Sequence, residues 1–232
     1  MEYLPNGYTM ELPSGTFPLS TDSVVLAHFV RLPKNARVLD LGSGCGTLGL
    51  LMCAKDPGCT VVGTELSPQA HEAALENIRR NELEDRMSSV LCDLRDLPAE
   101  FRDGRFHCVV SNPPYFTGGP ASQSTPLARR DDCCSPEELF QAASRALKFG
   151  GDFYLVHKPE KLAQLITCGA GAGMEAKELL LLRHRELSPI CLILLRFKKG
   201  GKPGLRLTEK SLFDSRDNPT DFFREVYHME GV

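Results

Sequence analysis

Arg37-Val38-Leu39-Asp40-Leu41-Gly42-Ser43-Gly44-Cys45-Gly46-Thr47-Leu48-Gly49-Leu50-Leu51-Met52 runs from a short apolar segment through a glycine-rich turn into a second apolar segment. The first segment has the length of a strand, and the second opens a helix. Glycine allows a tight turn and a close approach of backbone to ligand. Strand, glycine-rich turn and helix in that order form the nucleotide-binding unit of doubly wound folds. The chain therefore reads as α/β, with a mostly parallel, Rossmann-like sheet.

Three more segments extend the pattern. Thr60-Val61-Val62-Gly63-Thr64-Glu65 is a second strand, ending on a carboxylate about 20 residues beyond the glycines, where an acidic side chain can accept from both hydroxyls of a ribose. Ser88-Ser89-Val90-Leu91-Cys92-Asp93 is a third strand that also ends on a carboxylate. Phe106-His107-Cys108-Val109-Val110 is a fourth, leading into Ser111-Asn112-Pro113-Pro114-Tyr115. Gly42, Gly44 and Gly46, Glu65, Asp93 and Asn112 thus fall at the C-terminal ends of successive strands, the edge where open α/β sheets bind ligands.

The rest of the chain fits around this core. Residues 1–19 are an irregular lead-in with room for a short hairpin, and Ser20 or Asp22 is the expected N-cap of a helix through Val30. Ser67-Pro68 and Ser135-Pro136-Glu137-Glu138 start two more helices, the second with a capping-box signal. Residues 95–104 read as a polar linker and 117–135 as a long polar loop. Gly150-Gly151 is expected to turn the chain into a fifth strand, Asp152–Val156, and a helix follows from Lys158-Pro159 to about Cys168. Strands over 179–183 and 190–197 bring the sheet to seven, with helices on both faces. A single domain over 1–232 is expected: lead-in and helix to 35, core over 36–200, and a mixed tail over 201–232 with a short helix at Asp221–Tyr227.

Composition bounds the function. The chain has 232 residues, 42% hydrophobic and 25% charged, as a globular protein does. No run approaches the roughly 20 apolar residues of a membrane span, and the first residues lack the features of a signal peptide. Nine cysteines with no Cys-x-x-Cys spacing, and six histidines with no ligand spacing, argue for reduced thiols in a cytoplasmic protein and against a metal site. Residues 1–140 carry 12 Lys/Arg against 19 Asp/Glu, whereas 141–232 carry 15 against 11. The most basic stretch includes Arg183, Arg185, Arg196, Lys198, Lys199, Lys202, Arg206 and Lys210. It is either a solvated face or a phosphate-contacting patch.

Asn112 stands before two prolines. Proline pushes the residue before it to extended geometry, and Pro113 and Pro114 have fixed φ and no N–H. The outcome is a stiff rim with an amide, a free carbonyl and an aromatic ring, able to accept hydrogen bonds from an amino group and to stack on a flat ring. A plain rigid turn is the simpler alternative.

Val38 to Gly46 resembles the first motif of S-adenosylmethionine-dependent methyltransferases, and Asn112-Pro113-Pro114-Tyr115 resembles their fourth motif, in the form found where planar amino groups are methylated. The chain is similar over about residues 15 to 228 to small-domain methyltransferases, among them bacterial tRNA adenine N6-methyltransferases. Thr21-Asp22, Ala128-Arg129, Val156-His157-Lys158-Pro159 and the glycine-rich Lys199–Gly204 stretch also fit, while Arg129-Arg130-Asp131 stands where that family usually has Arg-His-Glu. The resemblance implies a class I methyltransferase fold, S-adenosylmethionine as cofactor, no metal, and a monomer acting on tRNA. It places Asn112, Pro113, Pro114 and Tyr115 at the acceptor amino group. It places Thr21, Asp22, Asp40, Gly42, Gly44, Gly46, Glu65, Leu66, Asp93, Leu94 and Asn112 at the cofactor, and Phe116, Arg129, Arg130, Lys198, Lys199 and Lys202 at the substrate. Guanine N2 in RNA and a protein glutamine amide are alternative acceptors. A nicotinamide-dependent oxidoreductase and a non-catalytic RNA-binding scaffold are the alternatives of other classes.

Overall fold

The computed structural model describes residues 2–4, 7–13, 20–113 and 134–227. A small antiparallel hairpin, β1 (Glu2–Tyr3) and β2 (Thr9–Met10), precedes α1 (Thr21–Phe29). Strands and helices then alternate, except that β6 follows β5 without an α-helix between them: β3 (Arg37–Leu41), α2 (Thr47–Lys55), β4 (Thr60–Glu65), α3 (Pro68–Arg80), β5 (Met87–Leu91), β6 (Phe106–Ser111), α4 (Pro136–Ala146), β7 (Leu147–His157), α5 (Leu162–Gly171) and β8 (Met174–Arg185). The chain closes with β9 (Ile190–Lys199), β10 (Arg206–Phe213) and α6 (Asp221–Val226).

The main sheet has the order β10-β8-β9-β7-β6-β3-β4-β5. Every pairing is parallel except those of β9, which runs antiparallel to β7 and β8. Both faces of the central strands are buried, so successive residues enter different cores. Val38, Val61, Val110 and Tyr154 pack under α1, α2 and α3, while Leu39, Val109, Phe153 and Phe197 pack under α4 and α5.

Helices α1, α3, α4 and α6 start where polar side chains cap their free N–H groups. Ser20 caps α1 and Ser67 caps α3, with Pro68 in the first turn of α3. Ser135 and Glu138 form a reciprocal capping box on α4. At the other end of α1, Lys55 from α2 donates to the carbonyls of Ala27, His28 and Val30 at 2.9, 2.9 and 2.5 Å. A cation there suits the negative end of the helix dipole.

Four expectations from sequence are corrected. The sheet has eight strands, because β10 extends it at one edge within what reads as a tail. Arg206 to Lys210 are all exposed, so the strand has no apolar stripe to reveal it. The parallel ladder to β8 and the Arg206–Glu178 ion pair at 2.8 Å hold it instead. Second, β7 begins at Leu147 and runs through Gly150-Gly151 with a register shift against β6. Gly150, at φ 77°, sits in that irregularity and does not turn the chain. Third, residues 95–104 contain two short 3-10 turns, Leu94–Asp96 and Ala99–Phe101. Fourth, the third strand ends at Leu91, so Asp93 lies just beyond it and caps the first of these turns.

The N-terminal segment is fastened by two asparagines of α3. Asn77 is fully buried. Its oxygen accepts from the N–H of Glu11 at 2.8 Å, and its NH2 donates to the carbonyls of Glu11 and Cys45 at 3.1 and 3.0 Å. Asn81 makes the same pair of bonds with Thr9. Asn77→Ala leaves these backbone groups without their partner, and is expected to lower unfolding stability by about 2 kcal/mol in urea titrations.

Candidate active site

Strand order reverses between β3 and β6, so the connections leave their C-terminal ends in opposite directions and open a crevice. Ser111, fully buried at the end of β6, donates from its hydroxyl to the Leu41 carbonyl at 2.8 Å and pins the two strand ends together. One side of the crevice carries the glycine turn, and the other carries Asn112.

Gly42, Gly44 and Gly46 have φ of 72°, 56° and 89°, a region that L side chains rarely occupy. The turn is held from β4. The N–H groups of Gly42 and Ser43 donate to the Thr64 carbonyl at 3.0 and 2.9 Å, and that of Gly44 donates to Glu65 Oε2 at 2.8 Å. Glu65 Oε1 accepts from the N–H of Ser67 at 2.8 Å. The carboxylate therefore bridges the glycine turn and the start of α3, and each oxygen keeps a lone pair for a further donor. A Cβ placed on Gly42 or Gly44 would meet nothing within 4 Å, so both glycines border open space.

Beneath the turn lies Asp40, 1% exposed. Neither of its oxygens, nor Ser43 Oγ, has a hydrogen-bond partner among the described residues. Burial, reinforced by the neighbouring Glu65 charge, raises the Asp40 carboxyl to about 8.

Asp93 follows β5 on the same edge. Its oxygens take the Arg95 N–H and guanidinium, at 2.9 Å for the N–H and 2.5 Å for the closest guanidinium contact. That pairing holds its carboxyl below the usual range. Leu94 is half-buried beside it, and Leu66, after Glu65, is exposed.

Asn112 is half-buried, and Pro113 is buried. The Asn112 Nδ2 group donates to Ser23 Oγ on α1 at 2.9 Å. The first turn of α1 thus reaches the crevice, bringing Thr21 and Asp22 to the same edge. Thr21 Oγ1 accepts from the Tyr227 hydroxyl at 3.3 Å. Burial raises the Asp22 carboxyl, and Lys158 at the end of β7 partly offsets this. His157, the last residue of β7, is kept neutral near pH 7 because burial lowers it to about 4.

Not every expected residue joins this edge. Since β9 is antiparallel, Lys198 pairs in register with Asp152 in the middle of β7, five residues before the strand end at His157 and directed away from the crevice edge. Its ammonium contacts Asp152 at 3.2 Å, and that of Lys199 caps α4 through the carbonyls of Ser144 and Leu147 at 2.6 and 2.8 Å. Lys202 is exposed just beyond, its carbonyl accepting from Lys177. These lysines are therefore not brought to the crevice. Pro114, Tyr115, Phe116, Arg129 and Arg130 lie outside the described residues. Ser23 and Ser111 are the residues that sequence reasoning missed: a serine in the first turn of a helix and one at a strand end carry no mark of what they bond. Among the described residues, no group of His, Cys, Asp and Glu could hold a metal, and no helix is long and apolar enough to cross a membrane.

Residues 19–169 match the family described as methyltransferase small domain. The tRNA1(Val) (adenine(37)-N6)-methyltransferase of Bacteroides fragilis is 30% identical over 215 residues, 90% of each chain. Its counterpart in Photobacterium profundum is 26% identical, over 76% of this chain and 75% of its own. A solved structure of a predicted O-methyltransferase from Agrobacterium tumefaciens has a TM-score of 0.73 at 22% identity, covering 90% of this chain and 96% of that one. A geranyl diphosphate C-methyltransferase from Streptomyces coelicolor A3(2) has a TM-score of 0.58 at 15% identity, covering 76% and 79%. The structural likenesses establish the class I fold, which does not itself choose an acceptor. The family match, running from just ahead of α1 into α5, and a curated relative 30% identical over most of both chains make this protein a member of the methyltransferase small-domain family and an S-adenosylmethionine-dependent methyltransferase.

Proposed function

We propose that this enzyme methylates the exocyclic amino nitrogen N6 of an adenine in tRNA, acting as a monomer. The observation that carries the reading is Asn112, fixed at the end of β6 across the crevice from the glycine turn. The adenine and tRNA assignments are supported by the names of the curated relatives and by the Asn112-Pro113-Pro114-Tyr115 sequence.

When bound, S-adenosylmethionine supplies an electrophilic methyl group on a sulfonium. The residues suited to hold it are Glu65 for the ribose hydroxyls, Asp93 for the adenine amino group, and Gly42, Gly44 and Asp40 toward the methionine end. On the acceptor side, an aromatic amino group is a poor nucleophile because its lone pair is delocalised into the ring. Asn112 Oδ1 and the Pro113 carbonyl accept its two N–H bonds, localise the lone pair and aim it. This is positioning and electrostatic preorganisation, with no tuned general base needed before transfer. Tyr115 stacks on the base, which must leave its own stack to enter.

Incubation with labelled S-adenosylmethionine and total bacterial tRNA, followed by nucleoside analysis, is expected to yield N6-methyladenosine. Label in N2-methylguanosine, or in protein only, would move the reading to another acceptor. Calorimetry should show S-adenosylmethionine binding and little NAD binding. Asn112→Ala is expected to lower kcat by about a hundredfold or more while changing cofactor affinity by only several-fold.

Asp40 adds a pH dependence. A cationic ligand group is attracted by the carboxylate form, so affinity for S-adenosylmethionine is expected to rise as pH approaches about 8 and then level off. In the ligand-free protein the effect on stability has the opposite direction. The folded carboxyl holds a proton that the unfolded chain, with a reference value of 3.8, has already released. Stability is therefore full below that reference value and falls as pH rises through about 8. Asp40→Asn should flatten both profiles, as read by calorimetry and thermal melts.

A further inference from the structure

Near its start, β7 bulges away from β6. Phe106 pairs with Leu147 and Cys108 pairs with Asp152, so His107 alone stands opposite Lys148, Phe149, Gly150 and Gly151. A bulge of this kind re-aims side chains out of the sheet. Phe149, on the bulge, is 80% exposed and belongs to neither core. Its ring is nevertheless seated: it fills the place that a Cβ on Gly200, in the turn after β9, would take. Two lysines tie the bulge down. The Lys198 ammonium donates to the Gly150 carbonyl at 2.8 Å, and that of Lys199 to the Leu147 carbonyl at 2.8 Å. One exposed ring is ordinary in a folded protein. What surrounds this one is not.

A cavity of about 450 Å³ beside the ring is lined by Arg102, Arg145, Lys148 and Lys199, against a single acid among the described residues, Asp103. Arg102 has an ion-pair partner in Asp96 at 2.6 Å. Lys199 is held by carbonyls, which leave its charge uncancelled, and Arg145 and Lys148 are exposed. The whole chain carries a net charge of -3, so this concentration of cations is local. Cations around a presented aromatic ring are what an unpaired nucleotide needs: the ring stacks on the base and the charges take the flanking phosphates. An acidic protein segment would use the charges alone. The nucleotide is not the one in the crevice, because eight residues of β7 separate Phe149 from His157, about 26 Å along an extended strand. We propose that the bulge at Phe149 is a second RNA-contact surface, which stacks an unpaired base of the tRNA remote from the methylated one and holds its phosphates on Arg145 and Lys148. The identity of the RNA rests on the tRNA reading, whereas the nucleotide chemistry rests on the bulge.

Three probes test this by fluorescence anisotropy over a salt series: full-length tRNA, a hairpin of the methylated loop on a stem of a few base pairs, and polyglutamate. Phe149→Ala is expected to weaken tRNA binding about tenfold without changing its salt dependence, and Phe149→Trp to keep wild-type affinity. Arg145→Gln combined with Lys148→Gln removes two phosphate contacts, so affinity should fall and the slope of log affinity against log salt should flatten by about 1.5. In turnover, Phe149→Ala should raise KM for tRNA about tenfold, with kcat and affinity for S-adenosylmethionine unchanged. The hairpin reaches only the crevice, so its affinity should be the same in every variant. Equal tRNA affinity in wild type and Phe149→Ala overturns the proposal. An equal loss for the hairpin does so too, as does a loss of polyglutamate binding in Phe149→Ala as large as that of tRNA, which would make the surface one for acidic chains. Binding of tRNA that depends on Phe149, in a wild type that transfers no methyl group to tRNA, refutes the methylation reading and leaves this surface standing. Methylation of tRNA indifferent to both variants does the reverse.

Discussion

A parallel sheet covered on both faces must pair all its backbone groups and fill both sides with apolar side chains, which leaves its strand ends as the place for polar chemistry. That constraint organises this protein. Val38, Leu39, Val109 and Val110 are consumed by packing, and the polar groups gather where β3, β4, β5 and β6 stop. The order reversal between β3 and β6 then decides which ends face a gap. Two side chains keep the gap in shape: Ser111 ties β6 to β3, and Glu65 ties the glycine turn to the start of α3.

Asp40 is the exception. It sits inside β3, fully buried, its carboxyl without a hydrogen-bond partner among the described residues. A carboxyl in that position costs stability once ionised. The arrangement fits a family whose cofactor carries positive charge at its methionine end.

The sequence was most legible where burial is two-sided. The runs at 37–41, 60–65 and 106–110 each announce a strand by their clustered β-branched and apolar residues, and the turn after the first is marked by its glycines. β10 was illegible because an exposed edge strand held by backbone ladder and ion pair has no such pattern. The basic stretch misled for a different reason. Closeness in sequence says nothing of direction along the sheet, and the reversal at β9 carries Lys198 and Lys199 to the far edge, where their ammonium groups are spent on Asp152 and on the end of α4. The Asn112–Ser23 contact spans 89 residues, and only the packing of α1 over β7 and β9 brings the pair together.

Asn112 is anchored outside its own sheet, to the start of α1, while Lys55 at the last turn of α2 grips the end of α1. The first residue of α2 follows directly on Gly46. A mechanical linkage therefore runs from the glycine turn along α2, across Lys55, back along α1 and into Asn112 without crossing the sheet. The glycine turn and Asn112, on the two sides of the crevice, are thus joined by contacts between helices as well as through the sheet.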